Sequence, residues 1–426
     1  MGRDAVEDER CPLWIVNHYA DAPDRPSGTR HFDLARRLVA GGRSVTIFAS
    51  GFSHVTQREE RLRSWRLYRT ERFDGVDFVW LRTFPYAGNT WRRQLNMLSY
   101  VVAFLVVQTR FKAPDAIIGS TVHPFAALAA WLVAKARGAR YLFEIRDLWP
   151  QTLVDLGAMR EGSLGERILR SIESFLVRRA SIVITLLPGM REYLVARGLP
   201  DGHVRYIPNG VDLERFDAAV PPGEAARHVL EAVTQMRAEA RFVVGYVGSF
   251  GRVNRADVIV AAAAIAEARA PGRIGVILVG DGPERPGLER APRPASVALL
   301  APIAKRDVPT ILRAVDAAVI HVTATPVYRY GISFNKLFDA MAASRPVLFA
   351  CDSPHDPVGQ VQAGVTVQPD DPGSLADAMI SLADAGPDVW RRMGASGRSY
   401  VERDHNISLL ASTLNDLIPC NPSGPA

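Results

Sequence analysis

Lysine is nearly missing from this chain. Of 51 basic residues only four are lysine, at 112, 135, 305 and 336, so where arginine serves almost everywhere, Lys336 is not explained by charge alone. Cysteine is equally scarce. Cys11, Cys351 and Cys420 are too few and too scattered for a disulfide framework or a metal knuckle, which points to a reducing compartment. No run is apolar enough for long enough to span a bilayer as a helix, which takes about 20 residues. The start MGRDAVEDER is acidic and polar, against a secretory signal. Also absent are a His-x-x-x-His helix, an Asp-x-Asp pair after a strand, a Walker loop and a Gly-x-Ser-x-Gly elbow. Any anionic leaving group would therefore rely on Lys, Arg and helix-end N–H groups, with no metal and no cofactor called for.

What is present is the alternation of apolar β-type runs with helical periodicity that marks α/β units with parallel sheets. Strands are expected at 13–19, 44–50, 115–119, 140–145, 181–186 and 203–207, with a first helix over 28–41. A polar helical stretch at 222–240 separates these from a second series, with strands at 241–251, 274–283, 296–300, 316–322 and 346–350. A helical pattern runs from Trp390 to Leu417, and the tail NPSGPA is expected to be disordered. The fold class is thus α/β, with two doubly wound, Rossmann-like domains: 1–215, 216–395, and a C-terminal helix in 396–426 crossing back to the first. Ligands in such sheets sit at the carboxyl ends of the strands, so a cleft between the domains is the default site.

The most informative segment is VYRYGISFNKLFDAMAASRPVLFA, 327–350. A turn leads into a helix whose N-terminus has unpaired N–H groups, Lys336 adds a full charge in its first turn, and Asn335 and Asp339 share one face. A diphosphate and a ribose diol along that face would account for the set. In the same half, Gly248, Gly251 and Arg252 form a strand-to-helix loop, Lys305 precedes another helix, and GDGP (280–283) is either a second site loop or a plain turn. In the first half, Ser27, Gly28, Thr29 and Arg30 open a helix, as a ligand approach or a plain cap. His123 lies at a strand's carboxyl end, facing the expected cleft. Glu144, Arg146 and Asp147 end another strand, where the last two stand as cleft residues or as a mutual ion pair.

Net charge is +6, and residues 58–112 carry eleven basic against five acidic residues, an excess equal to the whole. Inside lies LNMLSYVVAFLVV, 95–107, flanked by Arg92, Arg93, Arg110 and Lys112. It reads as a buried core helix or, within 91–112, as an apolar helix with a basic rim resting on anionic headgroups. The arginines are not interleaved with stacking aromatics, so nucleic acid is not an expected partner.

The phrases SGTRHFDLARRLVAGGRSVTIF, FEIRDLWPQTLVDLGAM, IPNGVDLERF, VGDGPER and YGISFNKLFDAMAASRPVLFA occur in an order that resembles the family 4 glycosyltransferases of the GT-B fold over nearly the whole chain. The likeness is greatest to the branch with L-fucosamine transferases of bacterial polysaccharide synthesis. The resemblance implies a metal-independent, retaining, hexosyltransferase-type enzyme, and the cysteine usage with the 91–112 segment adds the expectation of a cytoplasmic place, peripheral to the inner face of the plasma membrane. It would move an N-acetylhexosamine or deoxy-sugar from a nucleotide-diphosphate donor, with UDP expected, to a lipid-linked or amphiphilic acceptor. Polysaccharide, cell-envelope and natural-product glycoside synthesis are all open destinations. By the same likeness Arg252 and Lys305 contact the diphosphate, Asp339 the ribose, and His123 is a cleft histidine near the donor sugar. The catalytic set becomes His123, Arg252, Lys305 and Lys336. The donor set is Gly248, Gly251, Asn254, Gly282, Ser333, Asn335 and Asp339, and the acceptor side is Gly28, Thr29, Arg146 and Asp147.

Three positions depart from the family pattern. The first acidic position of its Glu-x(7)-Glu motif falls on Gly331, a lysine common after the loop arginine is Asp257, and Arg146 stands where many members have histidine. Lys336 then becomes the substitute cation. A nucleotide-sugar epimerase on the same fold would need carboxylates around the sugar, which Gly331 disfavours. A non-catalytic sugar-nucleotide-binding scaffold is the alternative outside catalysis.

Overall fold

The structure is a computed structural model and describes residues 11–24, 29–54, 56–63, 65–88, 91–121 and 123–419. The chain divides into unit 1, residues 1–208 with 407–426, and unit 2, residues 209–406.

Unit 1 is built on an eight-stranded sheet. Its strands are β1 (Leu13–Val16), β2 (Val45–Ser50), β3 (Tyr68–Phe73), β4 (Val76–Leu81), β5 (Ala116–Ser120), β6 (Arg140–Ile145), β7 (Ile182–Thr185) and β8 (Val204–Tyr206), in the order β8-β7-β6-β5-β1-β2-β4-β3. All pairs are parallel except β3 with β4. Strands covered on both faces read as unbroken apolar runs, which is why LWIV and AIIGS were legible. The β3–β4 hairpin was not among the expected elements. Its signal is Asp74-Gly75, both with positive φ (46° and 83°), as a tight hairpin turn requires. Helices α1 (Arg30–Ala40), α2 (Trp91–Val107) and α3 (Pro124–Arg137) follow strands of this sheet. Phe32, Leu34 and Leu38 of α1 pack into the core with Phe78 and Trp80.

Unit 2 has six parallel strands: β9 (Phe242–Val247), β10 (Ile274–Val279), β11 (Val297–Leu300), β12 (Ala317–His321), β13 (Val347–Ala350) and β14 (Gly364–Val367). Their order is β11-β10-β9-β12-β13-β14. Helix α4 (Ala256–Arg269) follows β9, and α5 (Asn335–Ala342) lies between β12 and β13. In each sheet the order reverses once, beside β1 (next to β5) and beside β9 (next to β12). Crevices at the carboxyl ends of strands form at such reversals.

The expected boundaries shift. Val211 and Phe216 are buried in a unit 2 cluster with Ile320 and Phe338, so unit 2 starts at Asn209 and not at 216. The helical pattern over 390–417 is two helices, α6 (Pro387–Asp404) and α7 (Ile407–Asp416). They part where His405 Nδ1 meets the Asn209 carbonyl at 2.7 Å and Asn406 bridges to Val211. Leu410 and Leu414 of α7 then join the unit 1 core beside α1. Cys11 is disulfide-bonded, so scatter along the chain did not preclude a cross-link, whereas Cys351 is a buried free thiol. The tail 421–426 lies outside the described residues.

Candidate functional site

In unit 2 the chain leaves β9 into the glycine loop and meets the turn after β10. A Cβ added to Gly280 would stand 1.9 Å from the Gly248 carbonyl oxygen, and one on Gly282 would stand 2.7 Å from that of Phe250. The Phe250 N–H donates to Asp281 O at 2.8 Å, and the Glu284 N–H to Phe250 O at 3.0 Å. GDGP is therefore no isolated turn, and its glycines let two loops lie backbone to backbone. Gly282 is accounted for by that packing. Gly251, with negative φ, faces only the Asn254 amide and the Ser249 hydroxyl, both at ordinary contact distance.

The loop is closed on itself and on α5. Tyr246 OH and Asn254 Nδ2 both donate to Ser249 O, at 2.7 and 2.8 Å. Lys336 Nζ donates to Asn254 Oδ1 and lies 3.5 Å from Tyr246 OH, with the ammonium 5.1 Å from the centre of the tyrosine ring. Burial lowers the Lys336 pKa to about 7. The α5 N-terminus has no side-chain cap, so its first N–H groups stay directed at whatever lies before it. Asn335 is exposed and Asp339 half-buried one turn on. Ser333 is engaged by Asn209, whose N–H donates to Ser333 Oγ at 3.0 Å.

Arg252 and Lys305 are both exposed, the former with its guanidinium 3.4 Å from Glu284. Asp257 pairs with Arg255, and Arg255 with Asp370 at 3.0 Å. The family's lysine position is thus spent on an ion pair, while Lys336 brings an amine to the glycine loop from α5. Gly331 has φ +103° with an extended ψ, a conformation open essentially to glycine alone. A carboxylate-bearing side chain would be strained in that conformation. Two residues here gave no sequence signal: Tyr246, which looks like any core strand residue, and His321 at the end of β12. His321 Nε2 accepts from the Asp370 N–H at 3.0 Å, and burial lowers its pKa to about 4.

In unit 1 the expected residues divide. His123 is fully buried, and both ring nitrogens have partners. It caps α3, Nδ1 accepting from the Ala126 N–H at 3.3 Å, so Nε2 carries the proton and donates to His18 Nδ1 at 2.9 Å. That contact bridges the loops after β1 and β5, across the reversal of the sheet. Burial, with the charge of Arg93, lowers the His123 pKa to about 3. His18 stacks between Tyr19 (4.3 Å) and Tyr100 (4.5 Å), and Tyr19 stacks on exposed His54 (4.8 Å). The dipeptide His18-Tyr19 read only as the end of a strand.

Thr29 is buried, with its hydroxyl donating to Asp33 Oδ2 at 2.5 Å, and Gly28 lies outside the described residues. Arg146 is half-buried and Asp147 exposed after β6. The Glu144 carboxylate, by contrast, is the centre of a buried network. It accepts from Arg30 Nε at 3.1 Å, and from His31 Nε2 and Ser120 Oγ at 2.6 Å each. Burial opposes its charge, but the His31 imidazole and the Arg30 guanidinium hold its pKa well below the usual carboxylate range. Arg30 also donates to Ile207 O and Pro208 O, fixing the end of unit 1. Among the described residues no group of three or more His, Cys, Asp or Glu is placed to hold a metal ion.

Comparison with known proteins follows this division. The glycosyl transferase 4-like domain matches residues 27–210, and the glycosyl transferases group 1 domain matches residues 241–385. A putative colanic acid biosynthesis glycosyl transferase, WcaI of Escherichia coli K12, is 26% identical over 240 residues, which are 54% of this chain. The aligned part is 57% of WcaI, so the chain matches a little over half that relative's length. Among solved structures, sucrose-phosphate synthase from Thermosynechococcus elongatus superposes with a TM-score of 0.70 at 19% identity, covering 96% of this chain and 98% of that one. HepE of Anabaena, in complex with UDP and glucose, gives 0.63 at 14% identity, covering 96% and 99%. At these identities the likeness of structures speaks for the fold alone. With both domain patterns matched in order, the chain belongs to the family 4 glycosyltransferases of the GT-B fold.

Proposed function

We propose that this protein is a retaining, metal-independent glycosyltransferase that takes a sugar from a UDP-sugar bound in unit 2. The observation that carries the reading is the bond between Lys336 and Asn254, which gathers the glycine loop and the start of α5 around one amine. Exposed Arg252 on that loop, and Lys305 at the start of a helical turn, supply further positive charge. Such a cluster suits a diphosphate, and Asn335 and Asp339 along α5 suit the ribose hydroxyls. HepE is described with UDP and with UDP-glucose, which supports UDP as the nucleotide to try first. For the sugar, an N-acetylhexosamine or deoxy-sugar follows the L-fucosamine-transferase resemblance.

In the reaction the bond from the anomeric carbon to the diphosphate oxygen breaks, and a bond to the acceptor oxygen forms on the same face. The departing oxygen takes the acceptor's proton, so no protein nucleophile is needed. The protein's contribution is to stabilise charge on the leaving diphosphate through Arg252, Lys305, Lys336 and the α5 N–H groups. The acceptor would bind unit 1 and be lipid-linked or amphiphilic, in bacterial polysaccharide or envelope synthesis, a reading supported by the colanic acid relative. The place of action would be the inner face of the plasma membrane. No helix among the described residues is long and apolar enough to cross a membrane.

Thermal melts and calorimetry with UDP test the donor half. A ligand at 100 times its Kd adds about 2.7 kcal/mol. A protein whose melting point is unmoved by UDP and by UDP-sugars alike refutes the assignment.

A further inference from the structure

Helix α2 is apolar on the wrong side. Its inner face, with Met97, Tyr100, Phe104 and Val107, is buried, and it cannot roll. Tyr100 OH donates to Phe48 O at 2.8 Å, and Asn96 Nδ2 donates to Phe84 O at 2.7 Å. The opposite face should then be polar, as on an ordinary surface helix. It carries instead Trp91 (67% exposed), Leu98 (49%), Val102 (61%) and Val106 (49%). At about 100° per residue these positions form one stripe along the helix. No charged residue occurs anywhere from Gln94 to Thr109.

The surroundings are cationic and aromatic. Arg92, Arg110 and Lys112 are exposed at the two ends of the stripe. The Arg110 guanidinium lies 5.5 Å over the Tyr68 ring, which brings the segment before β3 to the same end. There Trp65 is 88% exposed, between the exposed side chains of Arg63 and Arg66. Phe84 is exposed beside the middle of the helix, its N–H on Ser99 Oγ at 2.8 Å.

We propose that α2, with the Trp65 segment, seats the protein on an anionic lipid bilayer. An apolar stripe flanked by tryptophan and arginine matches the boundary between acyl chains and anionic headgroups. A second copy of this chain fits less well, because a symmetric pairing would set the cationic rim against itself. Docking itself does not depend on the donor site. It rests on the function proposed above only in placing the acceptor in the membrane.

The test is flotation of the full chain with vesicles of phosphatidylglycerol and phosphatidylcholine, against phosphatidylcholine alone. The wild type is expected to float with the anionic vesicles at low salt, and far less without phosphatidylglycerol. Each of Arg66→Gln and Arg110→Gln should weaken partition by about fivefold. The double variant Val102→Glu, Val106→Glu should weaken it by about tenfold or more, since both side chains already face out. UDP binding and melting temperature, measured on the same samples, should be unchanged. Wild type that stays at the bottom, or a double variant that floats as well as wild type, overturns the docking proposal. So does a dimer by light scattering that the double variant abolishes. If UDP binding persists through such a failure, only docking falls. If vesicles bind but UDP does not, only the donor reading falls.

Discussion

The amine of Lys336 donates to the side-chain carbonyl of Asn254, joining the first turn of α5 to the glycine loop after β9. One side chain of a lysine-poor protein thereby stands where a phosphate would meet both elements. Burial lowers its pKa to about 7, so near neutral pH the amine is poised between charged and uncharged forms.

A bound diphosphate would favour the ammonium, so donor binding should take up a proton and weaken as pH rises above about 7. Calorimetry of UDP binding at pH 6.5 and 8.5, in buffers of different ionisation enthalpy, measures both effects. Lys336→Ala should lower kcat by roughly 100-fold, in line with the loss of one transition-state charge donor. It should also abolish the proton uptake. Asn254→Ala leaves the amine in place but unheld, and should lower kcat less while keeping the pH dependence. A Lys336→Ala enzyme with near-normal kcat would remove this residue from the mechanism.

The histidine pair of unit 1 makes a separate prediction. His18 and His123 are buried and neutral, with Arg93 near both, and burial is the main cause of their lowered pKa values, to about 3 for His123. An unfolded chain would protonate both near their ordinary pKa, about 6.5. The unfolded state thus binds more protons below that pH, and stability should fall as pH drops from 6.5 towards 3. Urea midpoints at pH 7.5 and 5 should separate for the wild type. His123→Asn, which keeps an acceptor to cap α3, should narrow the gap. An equal gap in the variant would place the acid sensitivity elsewhere.

These two sites differ in how far they could be read in advance. Glycines after a strand and a rare lysine at a helix start are local signals, so the proposed donor residues could be picked out of the sequence one by one. Most of the parallel strands were visible for a similar reason, being continuously apolar, whereas the part-exposed edge strand β14 was not. Tyr246 and His18 were not. Their roles depend on partners 90 and 105 residues away, Lys336 and His123, and no local pattern reports such a contact. His123 sits at a strand end, a place that suits an N-cap as well as a ligand contact, and here it caps α3. The break between α6 and α7 was hidden because no proline or glycine marks it, the interruption coming from contacts of His405 and Asn406 with 209–211.

Gly331 offers the sharpest test of whether this departure from the family is a lost function or a different loop. Were it a lost function, Gly331→Glu would restore a carboxylate near the sugar and raise activity. But Gly331 follows the helical turn Pro326–Tyr330 with φ +103°, its N–H bonded to Tyr328 O at 2.9 Å, and a single residue separates it from Ser333. A side chain there would cost about 1–3 kcal/mol in strain or move the loop. That loop leads directly into α5 and sets where Lys336 begins. Gly331→Glu is therefore expected to lower the melting temperature and weaken UDP binding together, and Gly331→Ala should do the same to a smaller degree. If Gly331→Glu instead binds UDP normally and transfers sugar faster, the conformation is not the constraint, and the missing carboxylate is.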